Sequence, residues 1–168
     1  DHHLCELIPI YMPGDISASG VSMPHTADHI RMALGVTPAP SPMPTGLSVN
    51  PAWIFQTRKY PPHLRGWLLS MPIYNSYTGD DRTCAGVEFD NLTCDEFPYA
   101  SSAQGGELAN PPVSYYNVPS IPENNAQGND LNSFYGASRG CSIADGASYL
   151  VIPLPPAAQY SPRSAFVC

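Results

Sequence analysis

Two clusters of carboxylate and amide side chains carry the clearest chemistry in this sequence. Asp95 and Glu96 are adjacent carboxylates, and Gly105-Gly106 follows them along the chain. The second cluster, over 123–127, combines one glutamate with two asparagines and a glutamine. Carboxylate and amide oxygens are the ligands that hard divalent cations prefer. One such cation can neutralise charge on a phosphoryl group while a nearby carboxylate takes a proton from water. The two clusters therefore predict a one-metal site that hydrolyses a phosphodiester bond.

The two carboxylates of the first cluster are expected to have different roles. Neighbouring residues on a strand point to opposite faces, so Asp95 and Glu96 cannot serve the same atom in the same way. We expect Asp95 to be the general base and Glu96 to support the framework around it. The simpler alternative is that both carboxylates cap turns and pair with arginines.

The second cluster is expected to supply the metal ligands. We assign Asn124 as a ligand, with Glu123 and Gln127 in support, and we expect Mg²⁺ or Mn²⁺, with Ca²⁺ or Zn²⁺ as alternatives. The simpler alternative is helix capping, which asparagine performs well. Arg58 is a candidate for binding the phosphate, since guanidinium groups pair well with phosphate oxygens. The lone histidines, His29 among them, are expected on a helix face or at the surface.

The elements that must position these residues are predicted in the order strand, loop, strand, helix. Strands are predicted over 97–100 and 113–118, and a helix follows Pro122 and begins near Asn124. This is the ββα-metal arrangement. The remaining predicted elements are a strand over 4–12, a helix over 24–34 that Thr26 caps, and a strand over 149–154. We expect an α+β fold with a small antiparallel sheet and proline-rich loops, as one domain over 1–168.

The cysteines and a sequon indicate an oxidising, secreted setting. The chain has five cysteines without a CxxC motif and begins at Asp1, as a processed product would. Asn91 opens an N-glycosylation sequon. Proximity in sequence suggests the disulfides Cys84–Cys94 and Cys141–Cys168. Cys5 would be left over. A reduced, cytosolic protein is the alternative.

The composition limits the classes of partner. The net charge of −7 is unusual for a protein that binds nucleic acid, and it argues against tight, stoichiometric binding of DNA. It does not exclude a nuclease, because a metal ion supplies positive charge locally. No run of 18 apolar residues is present, so no membrane span is predicted. We expect a monomer without an obligate protein partner.

The ordered motifs resemble those of the NucA/NucB family of secreted deoxyribonucleases. The resemblance covers about 20–154 and rests on segments 22–30, 57–59, 95–100, 105–106, 123–124 and 149–152. It implies a metal-dependent DNA endonuclease without sequence specificity, in which Asp95 is the base and Asn124 a metal ligand. The chain differs from bacterial members in its proline-rich insertion after Gly35 and its extra cysteines, which suggest a eukaryotic, fungal-type member.

Two other functions are compatible with the same residues. The acidic and amide groups could form a Ca²⁺-stabilised loop in a disulfide-stapled binding or structural module. A nuclease that acts on RNA, or on both polymers, is the third possibility.

Overall fold

The computed structural model describes residues 4–8, 21–58, 92–106, 109, 111–138, 140–153 and 166–168. This part of the chain forms a mixed α/β fold with two α-helices and two small sheets. The elements in chain order are β1 (Glu6–Leu7), α1 (Pro24–Ala33), a 3₁₀ turn (Pro51–Ile54), β2 (Phe55–Thr57), β3 (Leu92–Phe97), β4 (Ser114–Pro119), α2 (Asn125–Tyr135), β5 (Ser148–Val151) and β6 (Phe166–Val167). Neither helix has the length and apolar character needed to cross a bilayer.

The hairpin β3–β4 and the helix α2 follow one another in the predicted order. β3 pairs antiparallel with β4, and the register sets Asp95 opposite Tyr116. An irregular helical turn, Ser120–Asn124, leads directly from β4 into α2. The predicted strand over 97–100 is wrong, because β3 covers Leu92–Phe97 instead. Pro98 follows the last strand residue and has no N–H with which to continue the ladder.

A second sheet contains the remaining strands in the order β2-β5-β1-β6. β1 runs parallel to β5, whereas β5 is antiparallel to β2 and β1 is antiparallel to β6. The sheet is therefore mixed, and the expectation of an antiparallel sheet is wrong for the β1–β5 pair. Strands that are neighbours in this sheet are far apart in the chain. The sheet therefore joins β1 and β2, which precede the β3–β4 hairpin, with β5 and β6, which follow it.

Helix α1 starts differently from the prediction. Pro24 occupies the first turn, where a missing N–H costs nothing. Met23 is the N-cap residue and its side chain makes no capping bond, whereas Thr26 is buried inside the helix. The prediction that Thr26 caps the helix is therefore wrong. The helix ends at Leu34, and Gly35 follows with a φ of 74° that glycine adopts readily.

The core is rich in aromatic side chains from both sheets and α2. Phe134 is fully buried, and its ring centroid lies 5.2 Å from that of Tyr149 in an edge-to-face arrangement. Burying side chains of this size contributes roughly 1.5–3 kcal/mol each, so this cluster is a large part of the driving force for folding.

One of the two suggested disulfides lies within the described residues. Cys141 and Cys168 are joined, and Cys5 is a free thiol. Cys94 is also disulfide-bonded. Its suggested partner, Cys84, and the sequon residue Asn91 lie outside the described residues.

Candidate active site

Asp95 is a buried carboxylate held between the two helices. Its side chain is 3% exposed. The Oδ2 atom lies 2.7 Å from Nδ1 of His29 on α1, and Oδ1 accepts a hydrogen bond of 2.7 Å from Nε2 of Gln127 on α2. Both oxygens therefore have fixed partners, and the plane of the carboxylate is set by contacts from two separate elements.

His29 is the site residue that the sequence analysis missed. It is fully buried on α1, so of the two expected places, a helix face or the surface, it occupies the helix face. Its Nε2 atom lies 2.9 Å from Oγ of Ser114, and that oxygen accepts a hydrogen bond of 3.1 Å from the backbone N–H of Ser48. A signal was present, since His29 falls between Thr26 and Ile30 on the stripe that α1 buries.

Asn124 and Gln127 lie together at the beginning of α2. Gln127 Nε2 is 3.2 Å from Oδ1 of Asn124, and Asn124 Nδ2 donates to Oγ1 of Thr93 at 2.8 Å. Asn124 occupies the N-cap position, yet its side chain makes no capping bond. Capping therefore does not explain this asparagine. The Oε1 atom of Gln127 is buried and accepts no hydrogen bond within the described part of the chain.

Glu123 points away from its neighbour Asn124 and binds the start of α1. Its Oε1 accepts hydrogen bonds from the backbone N–H groups of His25 and Thr26, at 2.8 and 3.2 Å. Its Oε2 lies 2.6 Å from Nδ1 of His25. A carboxylate at a helix N-terminus is favourable because it meets unpaired N–H groups and the positive end of the helix dipole. Glu123 therefore performs the capping that Met23 does not.

A cleft of about 330 Å³ lies beside Asp95 and Asn124. Its lining residues come from β3, from the turn after it and from α2, and they are Cys94, Asp95, Glu96, Tyr99, Ala100, Ser101, Asn124 and Leu131. Gly105 supports this wall from behind, since a Cβ at that position would lie 1.9 Å from the carbonyl oxygen of Tyr99. The first glycine of the Gly-Gly pair is thus explained by a close approach of two backbone segments, and the second by its φ of 103°.

Arg58 reaches the cleft wall only through other residues. Its Nε lies 3.4 Å from Oδ1 of Asp145, its guanidinium donates to the carbonyl of Ile143, and its Cζ lies 4.5 Å from the ring centroid of Tyr135. Tyr135 in turn bonds Oγ of Ser101, at 2.7 Å. Arg58 is not among the described residues that line the cleft.

Tyrosine hydroxyls connect this wall with the core. The hydroxyls of Tyr135 and Tyr149 lie 2.8 Å apart. Burial, followed by the neighbouring Tyr135, raises the pKa of Tyr149 well above its ordinary value. Tyr149 therefore remains a neutral hydrogen-bonding group across the physiological range.

The chain was compared with known families and proteins. The family described as Deoxyribonuclease NucA/NucB matches residues 75–152, a little under half of the chain. No curated protein and no solved structure gives a significant match. The matched segment contains Asp95, Glu96, Asn124 and Gln127, whereas His29 and Arg58 precede it. The match supports a nuclease.

Proposed function

We propose that the chain is a secreted, metal-dependent endonuclease that hydrolyses DNA without sequence specificity. The carrying observation is that Asp95 on β3 and Asn124 at the start of α2 line one cleft. This cleft lies within the segment that matches a deoxyribonuclease family. A strand–strand–helix unit that brings a carboxylate base and an oxygen ligand together suits hydrolysis of a phosphodiester.

The side chains at this cleft fit a hard divalent cation. The buried Oε1 of Gln127 accepts no hydrogen bond from the described residues, and burying an amide oxygen in this way is unfavourable unless something else binds it. Oδ1 of Asn124 accepts from Nε2 of the same Gln127 side chain at 3.2 Å, so the two amides are adjacent. Amide and carboxylate oxygens suit Mg²⁺ or Mn²⁺ best, whereas Ca²⁺ takes similar donors and Zn²⁺ prefers nitrogen and sulfur.

Asn124 and Gln127 would hold the cation. Glu123, whose oxygens bind the start of α1, would support them by fixing the turn before α2. When bound, such an ion neutralises charge on the phosphoryl oxygens and on the leaving oxygen. Asp95 accepts the proton of the attacking water. Its carboxylate is already oriented by His29 and Gln127, so little rearrangement is needed at the moment of reaction.

Glu96 and Arg58 have supporting roles in this proposal. Glu96 lines the cleft next to the base. Arg58 fixes the ring of Tyr135, which binds Ser101 in the cleft wall, and a direct contact with phosphate would require it to leave Asp145.

The remaining features suit an extracellular enzyme that turns over. A net charge of −7 disfavours tight retention of a polyanionic product. The Cys141–Cys168 disulfide and the sequon at Asn91 fit a secreted, eukaryotic, fungal-type member of the NucA/NucB group. We propose a single domain over 1–168 that acts as a monomer.

The test is nicking of supercoiled plasmid DNA by the purified protein with Mg²⁺, with Mn²⁺ and with EDTA. Asp95→Asn keeps the shape of the side chain and removes the base, so we expect it to abolish metal-dependent nicking while the fold persists. Glu6→Gln is the matched control, because it also replaces a carboxylate by an amide. Glu6 lies on β1 of the four-stranded sheet, whereas Asp95 lies on β3 of the other sheet. Absence of cleavage by the folded protein with every metal would overturn the enzyme proposal, and nicking by Asp95→Asn would show that the base lies elsewhere.

A disulfide-stapled binding module with a Ca²⁺-stabilised loop is the second candidate. It is favoured by the fact that both oxygens of Asp95 already make structural hydrogen bonds. This candidate predicts that Ca²⁺ raises the melting temperature of the wild type, that Asp95→Asn abolishes the rise, and that neither protein cleaves DNA. Incubating single-stranded RNA with the protein under the same metal conditions tests the remaining alternative, because a deoxyribonuclease leaves the RNA intact and an enzyme that also accepts RNA degrades it.

A further inference from the structure

We propose that His29 is a positioning residue for Asp95, through a hydrogen-bonded chain that runs from the backbone of Ser48 through Ser114 and His29 to the carboxylate. This inference rests on the proposed function. It adds to that function a residue that lies outside the segment matched by the deoxyribonuclease family.

With an ionised Asp95, which can only accept hydrogen bonds, and a neutral His29, the chain of contacts has one arrangement that satisfies each atom. The N–H of Ser48 donates to Oγ of Ser114, whose own hydroxyl then donates to Nε2 of His29. The proton of a neutral imidazole is consequently on Nδ1, where it donates to Oδ2 of Asp95. The carboxylate thus selects the tautomer, and the hydroxyl of Ser114, which the backbone N–H of Ser48 holds in place, supports it by donating to Nε2.

The ring itself cannot turn easily. His29 and Ser114 are fully buried, and the imidazole stacks on the ring of Tyr116 with 5.5 Å between centroids and 26° between planes. Tyr116 is the residue opposite Asp95 in the β3–β4 register. The same pair of strands therefore carries the carboxylate, its histidine's stacking partner and, at Ser114, the hydroxyl that orients the histidine.

This arrangement affects catalysis because Asp95 has one anchor for each oxygen. Gln127 holds Oδ1 from α2, and His29 holds Oδ2 from α1. Removing the second anchor lets the carboxylate rotate about its Cβ–Cγ bond, and a reacting group displaced by about 1 Å can lose roughly a hundredfold in rate. Binding of DNA does not involve His29, which is buried, so the loss should appear in kcat and not in KM.

The test compares three variants in the plasmid-nicking assay, each with its thermal stability measured. His29→Leu removes both ring nitrogens, and we expect kcat to fall about a hundredfold with KM nearly unchanged. His29→Asn offers an amide donor near the position of Nδ1, and we expect it to recover much of the lost kcat. Ser114→Ala leaves the imidazole in place but removes the hydroxyl that donates to Nε2, and we expect a smaller loss of kcat at the same KM.

The outcomes separate this inference from the function on which it rests. A folded His29→Leu variant with wild-type kcat would show that His29 is merely structural, as would equal kcat losses in His29→Leu and His29→Asn. If His29→Leu does not fold, Ser114→Ala decides, and wild-type kcat there overturns the proposal. A wild-type protein that cleaves no DNA overturns the proposed function itself, and the positioning role with it.

Three sulfur atoms at the edge of the four-stranded sheet carry an independent inference. The Sγ atoms of Cys5, Cys141 and Cys168 all lie within 4.8 Å of one another, although only the latter two are bonded. The β1–β6 register pairs Glu6 with Val167 and Leu7 with Phe166. One step further along the same register brings Cys5 opposite Cys168, as in a cross-strand disulfide.

We infer that this cluster is a thiol–disulfide exchange site. The thiolate of Cys5 attacks Sγ of Cys168, a Cys5–Cys168 bond forms and the Cys141–Cys168 bond breaks. The electron pair goes to Cys141, which takes up a proton. One disulfide is lost and one is gained, so no external oxidant or reductant is required.

Thiol mapping tests this exchange. Dilute protein is held at about pH 8.5, where thiolates attack disulfides readily, then quenched in acid, alkylated and mapped by mass spectrometry. We expect label on Cys141 as well as on Cys5, and no label on Cys141 in Cys5→Ser. Label on Cys5 alone at every time would overturn the inference, and label on Cys168 in place of Cys141 would overturn the choice of attacked sulfur.

Discussion

Replacing Glu123 by glutamine tests whether this carboxylate is the cap of α1. The change keeps the size of the side chain and one acceptor oxygen but removes the charge. In the structure that charge meets two backbone N–H groups, of His25 and Thr26, at the N-terminus of a ten-residue helix. Glu123 is 4% exposed, so solvent does little to screen these contacts.

The expected loss of stability follows from those contacts. A hydrogen bond to a charged acceptor contributes roughly 1.5–3 kcal/mol against about 1 kcal/mol for a neutral one, so weakening the pair costs about 1 kcal/mol. Loss of a buried negative charge at the positive end of a helix costs about 1 kcal/mol more. The ring contact with His25 is largely exposed and adds little. The sum is about 2 kcal/mol, which for a chain of this length lowers the melting temperature by roughly 4–8 °C.

The assay is thermal unfolding followed by circular dichroism at neutral pH, with EDTA present throughout. Excess EDTA removes any contribution from a bound cation, so a loss of stability under these conditions belongs to the cap. Glu6→Gln makes the same chemical change at a half-buried side chain that contacts no polar group in the described part of the chain, and we expect it to cost less than about 0.5 kcal/mol. Equal melting temperatures for Glu123→Gln and wild type in EDTA would refute the capping role.

Three further predictions concern the core and the covalent links. Because the pKa of Tyr149 is raised on folding, the folded state keeps a proton that the unfolded state loses above about pH 10. The free energy of unfolding is therefore unaffected by Tyr149 below that pH and falls above it by up to roughly 1.4 kcal/mol per pH unit. When unfolding is measured at a series of alkaline pH values, Tyr149→Phe should show a weaker dependence on pH than the wild type. An equal dependence in the two proteins would contradict the raised pKa. Phe134→Leu, at a fully buried ring, should cost roughly 1–3 kcal/mol in urea unfolding, whereas a cost near zero would mean that the aromatic cluster is loosely packed. In a Cys5→Ser background, which leaves no third thiol in this cluster to form a substitute bond, Cys168→Ser opens a disulfide that spans 27 residues. It should cost about 3–4 kcal/mol in the same assay, and an unchanged urea midpoint would show that this link does not constrain the unfolded chain.

Local signals made the helices predictable. The predicted helix over 24–34 is close to the observed Pro24–Ala33, because Pro24 and Gly35 mark its ends within the sequence itself. The helix predicted to begin near Asn124 begins at Asn125. The start of β3 was missed because the segment around Leu92 looks like a polar turn, and only pairing with β4 makes it a strand.

The contacts that define the site were not predictable in the same way. Asp95 and His29 are 66 residues apart, and Glu123 and His25 are 98 apart. No local pattern specifies which buried histidine will meet which carboxylate, since packing of α1 on the hairpin decides it. Arg58 was a candidate for binding phosphate because of its residue type, whereas its ion pair with Asp145 depends on a loop far along the chain.

The partners of Glu123 and Asp95 also determine how the molecule can be divided. Both carboxylates are buried, and both find partners on α1, which precedes the segment matched to the deoxyribonuclease family. β5 lies inside that segment, yet it pairs with β1 and β2 outside it. A graft of 75–152 alone into another scaffold would leave Oδ2 of Asp95 without His29, Glu123 without the N–H groups that it caps, and β5 without its neighbouring strands. A chimera that transplants this cleft must therefore bring the region of α1 and β2 with it, because the boundaries of sequence similarity are not the boundaries of the cooperative folding unit.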